Sequence, residues 1–408
     1  MNAQGQSYDV IIVGGGMVGT ALACALGEKD FRVAVVDTNK PAMSWPEQGY
    51  DLRVSALTRA TQKILETLHV WPRMQAERVS PFRDMHVWDA GGEGVLHFDS
   101  AELGEATLGH IVENRVTLKA LHEQLVTLES VQLITEVQAT ALEIDNAKAT
   151  LTLNNGGVLD AKLIVAADGS RSWVRQQRGI SVRGWDYDQT ALVTYVKTAQ
   201  SHQETAWQRF LHTGPLAFLP LTEGYSSIVW STSPEQAEQL KMMPENHFAI
   251  ELQAAFEDQL GAIEEVGPRA TFPLRFFETN AYVEPRLALI GDAAHTIHPL
   301  AGQGVNLGMA DAASLAEVLS TAKQSRKDIG SLKVLRRYER WRRADNRSML
   351  VAMDSFKRLF SNQSSLLGWI RNTGMSLIQH TPLIRNTIVR HAMGLSGAQP
   401  KLAKGIEL

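Results

Sequence analysis

The chain has 408 residues, of which 44% are hydrophobic and 21% are charged, and it contains one cysteine. This length suits two domains, or one large core with an inserted lobe. A disulfide framework is excluded, so Cys24 is interpreted as a small core residue in a reducing compartment. The N-terminus lacks signal-peptide features, and no apolar run reaches the roughly 18 residues of a membrane-spanning helix. We therefore expect a cytoplasmic protein, soluble or held peripherally at the inner face of a membrane.

The net charge of −4 is unevenly distributed. From Lys333 to Leu408 there are 14 Lys or Arg against 4 Asp or Glu, which makes this segment +10. Apolar residues recur at helical spacing between 349 and 388, with arginines between them. This pattern predicts a basic, amphipathic helical segment that rests on an anionic membrane, or packs on the rest of the chain or on another subunit.

The first 37 residues predict a strand, a glycine turn, a helix and a second strand that ends in an acid. Residues 8–13 and 32–37 are the apolar strands, and 21–26 has a helical pattern. Gly14, Gly16 and Gly19 permit a tight turn, close approach to a pyrophosphate and helix packing, while Asp37 is placed to bind a ribose. The structural alternative is an ordinary glycine turn followed by a surface acid.

Further strands and helices are predicted in chain order. Helical patterns cover 61–69, 116–128, 234–260 and 306–319, and the chain after 332 is helical. A hairpin is predicted for 85–88 and 95–98, joined by Gly91-Gly92. Strands are predicted at 163–166, 191–197, 207–211, 216–219, 226–230, 271–276 and 287–290. The aromatic-rich strands after residue 185 indicate a second, sheet-based lobe.

Two more motifs follow predicted strands. Asp168-Gly169-Ser170-Arg171 can bring backbone close to phosphates, with Arg171 or Arg175 offsetting their charge; a plain turn that caps the next helix is the alternative. Gly291-Asp292 places a carboxylate after an apolar strand. Gly302 and Gly304 then open a helix near Val305 and Asn306, whose N-terminus favours negative charge.

Together, the three motifs resemble those of the FAD-binding aromatic hydroxylases, and the run from Gly291 to Asp311 resembles the signature of the ubiquinone-biosynthesis hydroxylases. The resemblance covers the whole chain. It implies an α/β fold with an FAD-binding, Rossmann-like domain of the para-hydroxybenzoate-hydroxylase type and an inserted mixed β-sheet domain for the substrate. We place the FAD-binding domain at 1–70, 105–182 and 281–332, the substrate domain at 71–104 and 183–280, and the helical C-terminal segment at 333–408.

The resemblance implies an FAD-dependent monooxygenase that uses NAD(P)H or another electron donor and O2. It would hydroxylate a polyprenylphenol through a flavin C4a-hydroperoxide. Segments such as Val87-Trp88-Asp89 and 327–330 favour ring C5 of a 2-polyprenylphenol, with C1 or C6 as alternatives. A flavin reductase or dehydrogenase acting on an isoprenoid, and a non-catalytic FAD protein, are the other classes. We expect a hydrophobic substrate, a biosynthetic protein complex, a homo-oligomer and no nucleic acid.

The resemblance also implies roles for single residues. Asp292 would lie at the ribityl hydroxyls of FAD, Arg53 near its isoalloxazine ring and Arg115 toward the ribityl chain, unless either arginine forms an ordinary surface ion pair. His298 and Pro299 would position the reacting ring at the flavin face, or His298 would only fix its loop. His295 is expected to fix the loop by bonding to backbone. The His295-x-x-His298 spacing lacks further ligands, so no metal site is expected.

Overall fold

The computed structural model describes residues 7–46, 48–90, 94–296, 304–361, 381, 390, 393–395 and 397–408, with side chains to 347 in the last helix. The helices are α1 (Met17–Gly27), α2 (Arg59–Thr67), α3 (Trp71–Glu77), α4 (Asn114–Leu125), α5 (Trp173–Gln177), α6 (Pro234–Met242), α7 (Glu245–Ala255), α8 (Gly304–Gln324) and α9 (Leu332–Ser361). The strands are β1 (Ser7–Val13), β2 (Val33–Val36), β3 (Val54–Thr58), β4 (Ser80–Phe82), β5 (Asp84–Asp89), β6 (Val95–Asp99), β7 (Gly109–Glu113), β8 (Val131–Ile134), β9 (Ala139–Ile144), β10 (Ala149–Leu153), β11 (Val158–Ala166), β12 (Val182–Thr198), β13 (Thr205–Leu211), β14 (Gly214–Pro220), β15 (Tyr225–Thr232), β16 (Ile263–Val266), β17 (Ala270–Thr279), β18 (Val283–Glu284), β19 (Leu287–Leu289) and β20 (His295–Thr296). Within these ranges, no helix is long and apolar enough to cross a membrane.

The first sheet has the strand order β18-β19-β11-β1-β2-β8, and β10 and β9 extend it from β11. Strands β8, β2, β1, β11 and β19 are parallel to their neighbours in this series. Val10, Ile11 and Ile12 of β1 are fully buried, as expected for a parallel strand that is covered on both faces. Helix α1 packs against α8 and α4. The predicted strand–turn–helix–strand opening is confirmed.

The second sheet has the order β20-β17-β12-β15-β14-β13-β5-β6, with β16 on β12. It is mixed, because β13 pairs with β5 in parallel while its other side pairs antiparallel with β14. The hairpin of β5 and β6 and the five strands predicted between 191 and 276 are all present. A small third sheet, β3-β7-β4, completes the strands.

Strands β12 and β17 carry the chain from the first sheet to the second and back. They pair antiparallel from Val182↔Thr279 to Val193↔Ala270. The register shifts between Asp186 and Gln189, where Asp188 has a positive φ of 49°. This irregularity bends the strand locally, as β-bulges do.

One predicted helix is wrong in its extent. The stretch 234–260 forms two helices, α6 and α7, with a break at Met243 and Pro244. The ring of a proline disfavours helical backbone in the residue before it, and Met243 is extended with ψ 141°. The helical pattern also stops early, because Glu257 and Asp258 have positive φ angles.

The C-terminal segment is built into the first core at both of its described ends. Val334, Leu335 and Tyr338 of α9 are buried there, and so are Leu402 and Ala403. Arg342 of this segment is buried and pairs with Asp311, so part of the basic charge serves the interior instead of forming a free basic surface. The apolar stripes between 349 and 388 lie outside the described side chains, and the proposed domain bounds stay a prediction.

Leu402 tests whether the end of the chain is part of the core. We expect Leu402→Ala to lower the free energy of unfolding by about 2–5 kcal/mol, because it opens a cavity at a side chain that is 1% exposed. Ile406→Ala, at a side chain that is 51% exposed, should change it by less than about 0.5 kcal/mol. Denaturant unfolding measures both, and equal effects would contradict the packing described here.

Candidate active site

A cleft of about 920 Å³ is lined by residues from both large sheets. Its polar side consists of the glycine loop, the segment 51–55, the start of α4, the turn after β11 and the turn after β19. Its other side is mostly apolar, and it is formed by Ala191, Val193, Val229, Phe272 and Leu274. The predicted site residues that line the cleft are Gly16, Arg53, Arg115, Gly169, Asp292, Gly304 and Val305.

In the glycine loop, a side chain would collide with backbone at Gly14 and Gly19, whereas at Gly16 it would enter the open cleft. Gly14 has φ +109°, and a Cβ there would lie 2.3 Å from the Ala167 carbonyl oxygen. A Cβ on Gly19 would lie 2.0 Å from the Gly14 oxygen. A Cβ on Gly16 would meet nothing within 4 Å and would point into open space. Helix α1 has no capping side chain, so its first backbone N–H groups stay available to a ligand.

Two side chains hold Gly15 from opposite sides. The Gly15 amide donates to Asp37 Oδ2 at 2.7 Å, and the Gly15 oxygen lies 3.1 Å from His122 Nε2 on α4. Burial lowers the pKa of His122, although the bond to Gly15 and the charge of Asp37 oppose this, and a neutral ring donating from Nε2 fits the contact. Sequence reasoning missed His122, because its partner is 107 residues away. The ribose role of Asp37 stays a prediction.

The turn after β11 both caps a helix and faces the cleft. Ser172 caps α5 by accepting from the Arg175 amide, and Asp168 Oδ2 accepts from the Val174 amide at 3.1 Å. Burial raises the pKa of Asp168, while its bonds to Ser172 and Val174 oppose the shift. Gly169, with φ +80°, lines the cleft. The turn therefore caps helix α5, as the alternative interpretation predicted, and its backbone at Gly169 also faces the cleft.

Arg175 joins the second motif to the third. Its guanidinium donates to the Ser170 oxygen at 2.7 Å and to the Ala293 oxygen at 3.0 Å. It also lies over the Phe277 ring, 4.9 Å from the centroid. The side chain is buried and also lines the cleft. Its positive charge is therefore fixed between the two turns.

The turn after β19 places one carboxylate on the cleft floor. Gly291 has φ +57°, and its amide donates to Asp311 Oδ2 at 3.0 Å. Asp292 is exposed to the cleft, but the surrounding protein displaces water. This desolvation raises the pKa of Asp292, while His295 and Arg53 oppose the shift. His295 is buried, and among the described residues its partner is the carboxylate of Asp311, with 2.6 Å between Nε2 and Oδ2, where a bond to backbone was expected.

Asn306 fixes the start of α8 against the third sheet. Its Oδ1 accepts from the Thr58 amide at 3.0 Å and from Thr61 Oγ1 at 2.7 Å, and its Nδ2 donates to the Ala56 oxygen. This positions Gly304 and Val305 at the cleft. Asn306 therefore holds the N-terminus of α8 in place, and the first two residues of this helix line the cleft.

Arg115 and Arg53 are connected through a buried carboxylate that the sequence did not single out. Glu113 is 2% exposed; it accepts from Arg78 and Arg115 at 2.6 Å and from the Asp51 amide at 2.6 Å. Arg115 thus forms an ion pair with a buried acid and not with a surface one. Asp51 in turn accepts from the Arg53 amide at 3.1 Å. The cluster holds the segment that presents Arg53 to the cleft.

His298, Pro299 and Gly302 lie outside the described residues, so the roles assigned to them stay predictions. In the described part of the chain, no group of three His, Cys, Asp or Glu side chains is placed to hold a metal ion.

The residues at the cleft fit FAD. Open space beside Gly16, an uncapped helix N-terminus and fixed arginines suit the pyrophosphate, and the start of α8 suits the negative charge that a reduced flavin carries. An apolar wall faces these groups and can accept an aromatic ring. Fold and site together define an α/β flavin-binding protein with a substrate chamber between two sheets.

Comparison with known proteins agrees with this class. The FAD binding domain family matches residues 7–351. Ubiquinone hydroxylase UbiL of Rhodospirillum rubrum is 40% identical over 403 residues, which are 98% of this chain and 93% of that protein. 3-Demethoxyubiquinol 3-hydroxylase of Escherichia coli is 39% identical, covering 96% of this chain and 99% of that one. Ubiquinone biosynthesis monooxygenase COQ6 of Mus musculus is 36% identical, covering 94% and 90%.

Solved structures show the same fold at low identity. p-Nitrophenol 4-monooxygenase PnpA of Pseudomonas putida superposes with a TM-score of 0.77 over 97% of this chain and 100% of its own, at 20% identity. PqsL of Pseudomonas aeruginosa superposes with a TM-score of 0.75 over 91% of this chain and 99% of its own, at 22% identity.

The chain belongs to the FAD-dependent hydroxylases of ubiquinone biosynthesis. It is an FAD-dependent monooxygenase that uses a reduced electron donor and O2. The predictions of family, fold class and cofactor are confirmed.

Two glycine variants separate folding from flavin binding. Gly16→Val should fold, because the added side chain meets open space, but it should lose most bound FAD because it fills the approach to the backbone. Gly14→Val should fail to fold normally, because its Cβ would collide with the Ala167 oxygen. Circular dichroism and flavin content after purification measure the two effects. Normal flavin content in folded Gly16→Val would contradict the assignment of the loop.

Asp292 makes the stability of the FAD-free protein depend on pH. Because the folded-state pKa is raised, the folded chain binds more protons than the unfolded chain between the ordinary pKa and the raised one. Stability therefore falls as the pH rises through that window. We expect Asp292→Asn to be more stable than the native protein at pH 7, equal to it at low pH, and weaker in binding FAD.

Thermal unfolding at several pH values measures this difference. Asp186→Asn is the matched control, because its carboxylate is exposed in an ion pair with Arg275 and should change stability by about 0.5 kcal/mol or less. A stability gain for Asp292→Asn that does not vary with pH would contradict the argument.

Proposed function

We propose that this enzyme hydroxylates the aromatic ring of a polyprenylphenol, at C5 of a 2-polyprenylphenol. The observation that supports a hydrophobic aromatic substrate is the cleft itself. One side carries the charged groups and backbone turns suited to FAD, and the other carries Ala191, Val193, Val229, Phe272 and Leu274. A ring held against this wall would lie opposite the flavin side of the same chamber.

The ring position rests on sequence resemblance alone. Of the segments that favour C5, Trp88 of β5 is buried against Phe256 at the end of α7, and Asp328 pairs with Arg286 at 2.8 Å. Both residues have structural partners, and neither is a described lining residue of the cleft. A second candidate is hydroxylation of a demethoxyubiquinol, because the relative from Escherichia coli is named for that reaction.

The described residues position the reactants. When FAD is bound, the redox chemistry and the activation of O2 are those of the flavin. One oxygen atom enters the ring and the other leaves as water, with two electrons from the reduced donor. The chain contributes fixed positive charge at Arg175, a carboxylate at Asp292 that lines the cleft, and helix N-termini that stabilise negative charge. The apolar wall excludes water from the reacting ring.

We further propose that the substrate reaches the cleft from a lipid surface. The basic, amphipathic pattern after residue 347 supports contact with anionic lipid, at about 1 kcal/mol for each basic residue near the surface. The family's place in ubiquinone biosynthesis supports work within a pathway complex. Peripheral attachment at the inner face of the membrane and a homo-oligomer remain predictions.

Isotope labelling tests the reaction and the ring position together. The FAD-loaded enzyme is given NADH or NADPH, ¹⁸O2 and either a short-chain 2-polyprenylphenol or a demethoxyubiquinol. We expect one ¹⁸O atom in the product of the polyprenylphenol, at C5, by mass spectrometry and NMR. Flavin-depleted Gly16→Val is the control and should give no product.

Each outcome identifies one reaction. Labelled product from demethoxyubiquinol alone would replace C5 hydroxylation by the second candidate. Oxidation of the reduced donor that depends on substrate and yields an unlabelled reduced or dehydrogenated product would show a reductase or dehydrogenase, and it would overturn the proposed function.

A further inference from the structure

A buried ionic cluster lies directly behind the turn that carries Asp292. Its centre is Asp311 on α8, whose side chain is fully buried. One carboxylate oxygen, Oδ2, accepts from His295 Nε2 at 2.6 Å and from the Gly291 amide at 3.0 Å. The other oxygen, Oδ1, accepts from Arg342 Nε at 2.8 Å. Asp311 therefore binds the flavin-side turn through one oxygen and helix α9 through the other.

All three nitrogens of the Arg342 guanidinium donate hydrogen bonds. Besides Asp311, it donates to Asp345 Oδ2 at 3.0 Å and to Asn346 Oδ1 at 2.8 Å. Asn346 is fully buried and donates to Tyr282 Oη at 3.3 Å, just before β18. A planar guanidinium fixed at three points gives Asp311 a partner of defined direction as well as of opposite charge.

Both partners of Asp311 help to keep its buried carboxylate ionised. Burial alone would raise the pKa of Asp311, but His295 and Arg342 outweigh it and hold the pKa below its usual range. The other titratable groups packed around the pair are Asp292, Tyr282, Tyr338, Glu339 and Asp345. An ionised Asp311 requires Nε2 of His295 to carry the proton, which fixes the tautomer of a ring that lines the cleft.

We propose that Asp311 and Arg342 are positioning residues for the flavin-binding turn. The pair sets the orientation and tautomer of His295 and the path of the Gly291 backbone, and so connects helix α9 to the floor of the cleft. The first turns of the C-terminal segment thereby become part of the cofactor site, although Arg342 itself is not a described lining residue of the cleft. The inference rests on the proposed function only in taking this cleft as the FAD site, and it is independent of the ring that is hydroxylated.

The test compares the same substitution at two arginines of α9. In Arg342→Met the buried carboxylate loses its fixed partner, whereas Arg337→Met removes an exposed side chain. The FAD-free proteins are titrated with FAD by flavin fluorescence, and the reduction potential of the bound flavin is measured from pH 6 to pH 8. We expect Arg342→Met to raise the Kd for FAD roughly tenfold and to shift the potential and its pH dependence, with no change in Arg337→Met.

A double variant separates positioning from stability. Asp311→Asn combined with Arg342→Met removes both charges, so no buried charge is left without a partner and the chain should fold. If the pair positions the flavin-binding turn, the affinity for FAD and the reduction potential of the bound flavin should stay altered in this folded variant. Arg342→Lys should recover the affinity only in part, because an ammonium keeps the charge without the fixed fork of donors.

Native values of the Kd and the potential in folded Arg342→Met, or in the double variant, would overturn the proposal and leave the pair a purely structural one. If Arg342→Met does not fold, the double variant decides. Failure of the native enzyme to hydroxylate any polyprenylphenol would overturn the proposed function instead, and it would leave these binding measurements unaffected.

Discussion

The site depends on one topological constraint: the strands that precede the three glycine-containing motifs are neighbours in a parallel sheet. Strand β1 lies between β2 and β11, and β11 pairs on its other side with β19. The carboxyl ends of parallel strands meet at the same edge of the sheet. Residues near 14, 168 and 291 are therefore adjacent in space. Contacts such as Gly14 against Ala167, and the Ile290 amide donating to the Ala166 oxygen, follow from this adjacency.

The same edge faces a second sheet of different chemistry. The first sheet presents backbone N–H groups, glycines and charged side chains, while β12, β15 and β17 present mostly apolar side chains, with Arg275 as a charged exception. A cofactor with many polar atoms and an apolar ring substrate can therefore share a single chamber. The polar contacts come mainly from the first and third sheets, and the apolar contacts come mainly from the second.

Sequence reasoning succeeded where the signal is local. The glycine loop, the strand before it and the turn at Asp168-Gly169 each depend on residues that are close in the chain, and their backbone requirements can be read from residue type. It failed where the partner is remote. His122, Glu113 and Arg342 are ordinary members of helical or strand patterns, and only the fold reveals what they hold. The break at Pro244 was a local signal that the helical pattern concealed.

The pairing of β12 with β17 has a mechanical consequence. Both strands connect the two large sheets, and a ladder of hydrogen bonds joins one strand to the other along most of their length. The connection therefore behaves as a stiff two-stranded ribbon and not as two independent linkers. Sliding or separation of β12 relative to β17 would require part of this ladder to break. The register shift beside Asp188 is its compliant point. Relative motion of the two sheets at this connection is therefore a bending or twisting of both strands as one unit, centred on the irregular point beside Asp188.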